Sequence, residues 1–177
     1  MVRLAAWTVL AAALLAGCGE EAGAPEGAGG AAEGEEVALL RSFPASPSGG
    51  ILEAGRRLVR DAGDWERTWA LANQHFAPVP KAPPVDFGKE MVAVASLGEK
   101  RTGGHSVQIV GARSAGGKLR ILYAERAPAP GAVEIQVITR PWHAVVLPRS
   151  ELPVEWVRYE APGGNRPPRE PDPPSVR

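Results

Sequence analysis

Val85–Val110 reads VDFGKEMVAVASLGEKRTGGHSVQIV, and this stretch decides the fold. Val92, Ala93, Val94, Ala95 and Leu97 form an apolar run too short for a buried helix and rich enough in valine for a strand covered on both faces. It reads as the central strand. Gly98 to Gly104 supplies three glycines among polar residues, after which Val107 and Ile109 alternate with Ser106 and Gln108. The order is therefore strand, glycine-rich connection, strand. Because glycine takes positive φ without steric cost, Thr102-Gly103-Gly104 can turn sharply and let another backbone come close.

Outward from this centre, the clearest helix is Gly63 to His75. Asp61 suits its N-cap, and Asp64 suits the positive end of the helix dipole. Trp65, Thr68, Trp69, Ala72 and Phe76 fall on one stripe of a 3.6-residue period, which predicts a face packed on the sheet. Pro78 ends the helix, and Pro78 to Pro84 leads into the central strand. Upstream, Val37 to Phe43 reads as a first or edge strand ending at Pro44. Ile51 to Glu53 and Arg56 to Arg60 read as extended segments. Downstream, Ser114 to Gly117 is a turn, and Lys118 to Arg126 alternates as the second arm of a hairpin. Val133, Ile135, Val137 and Thr139 share one face of a further expected strand, followed by Trp142 to Leu147 and Val154 to Tyr159. The expected fold is α+β and β-dominated, an antiparallel sheet or sandwich of about six to eight strands with one packed helix.

The chain has 177 residues, enough for one domain, and its 20 basic and 20 acidic side chains leave no global field for nucleic acid. A single cysteine excludes an internal disulfide framework. Arg3, an uncharged run from Leu4 to Gly17 and the sequence Leu15-Ala16-Gly17-Cys18 describe an export signal ending in a lipobox. Residues 1–17 are expected to be removed. Cys18 is then the lipidation site, holding the protein to membrane lipid through more than one acyl chain. Residues 18–36 carry only glycine, alanine, glutamate and one proline after the cysteine, a composition expected to form a flexible tether. Residues 37–160 are the globular domain, and the proline-rich 161–177 reads as a disordered tail. The expected location is the cell envelope. Gly19 in place of aspartate permits the outer membrane if the cell is Gram-negative.

The histidines at 75, 105 and 143 lack metal-site spacing, and no serine sits in a nucleophile elbow. His105 and Ser106, adjacent on a strand, point to opposite faces. No catalytic residue, metal or cofactor is expected, and the protein is not expected to be an enzyme.

Taken together, VDFGKEMVAVASLGEKRTGGHSVQI, the earlier SGGILEAGRRLVRDAGDWERTWAL and the later TRPWHAVVLPR resemble the PrcB C-terminal domain family over roughly residues 48 to 147. The most specific elements are Asp86-Phe87, Gly98, Thr102-Gly103-Gly104 and Pro141-Trp142. His105 and Trp142 depart from the tyrosines usual there, though a planar ring is kept. The resemblance implies an exported bacterial domain, noncatalytic, that binds or assists a surface or secreted protease. The loops Thr102, Gly103, Gly104, His105 and Arg140, Pro141, Trp142, His143 are the expected partner-binding residues. The chain is also similar to chagasin-type protease inhibitors in the order of Thr102-Gly103-Gly104-His105, Ala115-Gly116-Gly117 and Arg140-Pro141-Trp142, which implies three loops at one end of a sandwich. A third reading makes the protein a small-molecule carrier with an aromatic pocket of Trp65, Trp69 and Phe76.

Overall fold

A computed structural model of the protein describes residues 34–160; the expected signal peptide, Cys18 and proline-rich tail lie outside them. Within the described residues, eight strands and one helix follow in the order β1 (Glu35–Val37), β2 (Arg41–Ser46), β3 (Ala54–Val59), α1 (Ala62–Ala72), β4 (Glu90–Leu97), β5 (Ser106–Ala115), β6 (Lys118–Arg126), β7 (Trp142–Pro148) and β8 (Val154–Arg158). They form two four-stranded sheets, ordered β1-β5-β6-β8 and β2-β7-β4-β3. The α+β sandwich read from the sequence is the observed architecture.

The central strand is β4, inside its sheet between β7 and β3, and Met91 to Leu97 are all buried. Its side chains alternate between two cores. Met91, Ala93, Ala95 and Leu97 face the other sheet, against Val107, Ile109, Leu119, Ile121 and Tyr123. Val92 and Val94 face α1, with Trp65, Ala72, Ala144 and Val146. The molecule thus has three layers: sheet, sheet and helix.

The helix begins where capping chemistry predicts. The Asp61 carboxylate accepts the Asp64 N–H at 2.8 Å, and Trp65, Thr68 and Ala72 are buried beneath it. Trp65 donates its indole N–H to Pro83 O at 2.9 Å and Trp69 donates to Pro80 O at 3.1 Å. The proline-rich crossing therefore supplies the acceptors that let two tryptophans pack inward. Phe76 departs from the expected stripe. The helix ends at Ala72, so Phe76 falls past the last turn, where it stacks on His75 and remains 51% exposed.

Five further differences have physical reasons. β4 and β5 are consecutive but lie in different sheets, because Gly98 to His105 carries the chain across the sandwich rather than closing a hairpin. β6 and β8 pair in parallel, a departure from a purely antiparallel sheet made possible because the chain visits the other sheet in between. Glu35 and Glu36, tether residues by composition, pair with Arg113 and Ser114 as part of β1. The stretch 132–138, with its strand-like alternation, joins no sheet: both neighbours of β7 are already supplied by β2 and β4. The β5–β6 turn is tighter than Ser114 to Gly117, since only Gly116 and Gly117 lie outside the strands and both take positive φ, at 58° and 72°.

The packing ranks the aromatic side chains. Trp65→Ala is expected to lower the unfolding free energy by about 3 to 5 kcal/mol, whereas Phe76→Ala should stay within about 0.5 kcal/mol of the parent. Urea denaturation of the two variants checks the order.

Candidate functional site

The loops singled out by the sequence meet at one end of the sandwich. Lys100 and Thr139 exchange backbone hydrogen bonds of 2.8 and 2.9 Å, the Thr139 hydroxyl donates to Thr102 O at 2.9 Å, and Gly103 N–H donates to Ile135 O at 3.0 Å. Arg140 donates from Nε and Nη2 to one Glu99 oxygen, at 3.2 and 2.7 Å. The close approach anticipated for the glycines occurs here. A Cβ on Gly103 would lie 2.9 Å from an Ile135 side-chain atom, and one on Gly104, where φ is +76°, would lie 2.7 Å from the Glu134 carboxyl carbon.

The residues of the second loop divide sharply. Pro141, Trp142 and His143 are buried, the last two as the first residues of β7. A partner cannot reach them. Trp142 turns toward α1 and stacks edge-on with Trp69 at 5.9 Å, while a Cβ on Gly49 would come within 2.5 Å of its ring. His143 turns the other way, between the sheets. Thr102, Gly104, His105 and Arg140 retain surface exposure, and Gly103 is buried under Ile135.

His143 ties three strands together. Ile109 N–H on β5 donates to its Nδ1 at 2.9 Å, which puts the ring proton on Nε2, and Nε2 donates to Ser42 Oγ on β2 at 3.0 Å. Burial lowers its pKa from the ordinary 6.5 to about 4. The imidazole is therefore neutral at physiological pH and serves as a structural connector.

The feature that the sequence pattern concealed is the loop between them. Val133, Ile135, Val137 and Ile138 are 101%, 72%, 44% and 58% exposed. Apolar side chains gathered on a surface mark a contact site far more often than single exposed residues do. The available signal was the strand-like alternation itself, bracketed by Pro128, Pro130 and Pro141. Together with Thr102, Gly104 and His105, this loop forms the candidate surface.

Residues 91–148 match the family model described as PrcB C-terminal. The match covers about a third of the chain and makes that segment similar to an accessory-type family related to protease complexes. It runs from the second residue of β4 to the last of β7 and holds the whole candidate surface, whereas Asp86-Phe87 falls just before it. Comparison with curated proteins and with solved structures found no match.

The inhibitor-like arrangement of three loops is not realised. Thr102 to His105 precedes β5 and Gly116-Gly117 follows it, so these loops occupy opposite ends of a ten-residue strand, about 33 Å apart at 3.3 Å per residue. The aromatic pocket is not realised either. Trp65 and Trp69 stack on Phe43 with ring centroids 5.4 and 5.3 Å apart, filling the helix-side core, and Phe76 lies outside it. Among the described residues, no group of three or more His, Cys, Asp or Glu side chains is placed to hold a metal ion.

The folded pKa of His143 lies below its unfolded value, so protons bind preferentially to the unfolded chain. Its contribution to stability is complete above about pH 6.5 and is lost as pH falls toward about 4. Between pH 7 and pH 5 this amounts to about 2 kcal/mol. Comparing urea midpoints at the two values for the parent and for His143→Gln, the parent should lose about that much more.

Proposed function

We propose that this protein is a lipid-anchored, noncatalytic accessory domain of the cell envelope that binds another envelope protein, a surface or secreted protease, through the loop end of its sandwich. One observation carries the reading: the exposed run of Val133, Ile135, Val137 and Ile138 lies beside Thr102 to His105, within the segment that matches an accessory-type family. Burying such side chains against a partner contributes about 25 cal/mol per Å² of apolar surface removed from water. The hydrogen bonds from Gly103 to Ile135 and from Thr139 to Thr102 hold the two loops in one geometry before contact, which reduces the ordering cost of association.

Anchoring rests on the Leu15-Ala16-Gly17-Cys18 sequence. Attachment at Cys18 would confine the domain to the membrane surface and raise its effective concentration toward partners in the same envelope.

In cells given labelled palmitate, the parent should incorporate label and Cys18→Ala should not. Crosslinking in the native envelope should recover a specific protein from the parent. The double variant Val133→Asp, Ile135→Asp should lose that protein while keeping its thermal midpoint within a few degrees, since Val133 is fully and Ile135 largely exposed. Recovery that is the same with and without the aspartates would overturn the assignment of the surface.

A further inference from the structure

The sandwich is closed along one side and open along the other. On the closed side, β1 and β2 are separated by only residues 38–40, so the chain itself joins the two sheet edges. On the other side, edge strands β3 and β8 flank a groove of about 550 Å³.

Both edges present unpaired backbone. Leu97 donates to Pro141 O at 3.0 Å and Arg149 to Lys89 O at 2.7 Å, so the odd-numbered residues of β4 turn their backbone to β7 and the even-numbered ones to β3. By register, Gly55, Arg57 and Val59 face β4, while Ala54, Arg56 and Leu58 direct N–H and C=O away from the sheet. On β8, Leu119 donates to Pro153 O at 2.9 Å and Tyr159 to Tyr123 O at 2.7 Å, which leaves Val154, Trp156 and Arg158 pointing outward.

The side chains of the groove define what fits. Leu58, Leu152, Val154 and Trp156 make an apolar wall. Of the three arginines, Arg56 is paired with Glu125, and Arg57 reaches Thr68 and lies 3.8 Å from Asp64. Glu151 is paired with Arg149 at 2.9 Å. Arg60 has no carboxylate among the described residues: its Nη2 reaches Ser150 O at a long 3.4 Å, and its buried Nε has no acceptor. A guanidinium so placed lacks the anion that would satisfy it.

We propose that this groove takes an extended peptide segment of a partner protein, added as a strand to the free edge of β3, with an acidic side chain on Arg60. Leu58 and Arg60 are two residues apart and share a face of the strand direction, so the peptide presents an apolar side chain and, two residues along, a carboxylate. Main-chain hydrogen bonds to Ala54, Arg56 and Leu58 supply affinity that is indifferent to sequence, and the apolar and acidic positions supply selection. This surface lies along the side of the sandwich and does not rest on the loop end.

The test is fluorescence anisotropy with the full chain in detergent and a labelled peptide, acetyl-Ser-Val-Thr-Val-Thr-Glu-Ser-amide. Two counterparts serve as controls, one with lysine for glutamate and one with proline for both threonines. The glutamate peptide should bind at least about ten-fold more tightly than the lysine peptide, the proline peptide should not bind, and Arg60→Glu should reverse the charge preference. Equal binding of the glutamate and lysine peptides, undiminished binding of the proline peptide, or no binding at millimolar peptide would each overturn the proposal. If Arg60→Glu fails to fold, the three-peptide comparison on the parent chain still decides.

Discussion

The structure depends on one pair of strands, β4 and β7, that are denied water on both faces. Every residue from Met91 to Leu97 and from Trp142 to Leu147 is buried, so neither parity of either strand has a solvent side. Such a wall admits apolar side chains at consecutive positions, which is why valine and alanine alternate here where an ordinary antiparallel strand would alternate apolar with polar. One surface of the wall meets β5 and β6; the other meets α1 and the aromatic set of Phe43, Trp65, Trp69 and Trp142. The remaining elements are arranged by which surface they cover.

A wall that is apolar on both sides has little in it to fix how the second sheet sits across it. His143 provides a directional tie. Its ring accepts the Ile109 N–H from the opposite sheet, close to the register shift between Ile109 and Gly111, and donates its own Nε2–H to Ser42 Oγ. Buried groups satisfied on both sides are geometrically demanding, because a misaligned partner leaves a desolvated polar atom. The histidine therefore restricts β5 to one position over β7 in a way that valine contacts alone do not.

How much was legible in the chain follows from how local each cause is. β4 and α1 were readable because their determinants sit within a dozen residues: a continuous apolar run, an aspartate N-cap, and tryptophans at helical spacing. The association of β4 and β5 with different sheets was not, since a glycine-rich connection of this length serves a hairpin or a crossing equally well. Val133 to Thr139 carries a strand's pattern, but a strand also needs an open neighbour within reach, and both sides of β7, the strand it leads into, are taken by β2 and β4. Trp142 and His143 misled for the opposite reason. Pro141 punctuates the sequence as a loop would, yet the ladder begins with the very next residue. For the candidate surface, the meeting of Thr102 to Gly104 with the later loop was legible in the glycines, while the exposed apolar side chains were hidden under an expectation of burial.

The position of β1 sets which way the domain looks. Glu35 lies opposite Ser114, next to the Gly116-Gly117 turn, and Val37 lies opposite Ala112, so the described chain starts at the pole farthest from Thr102 to His105. The anchor proposed at Cys18 would grip the domain by this base. A body standing on that base would turn its greasy crown outward, toward neighbours approaching from the far side and not toward the surface it stands on.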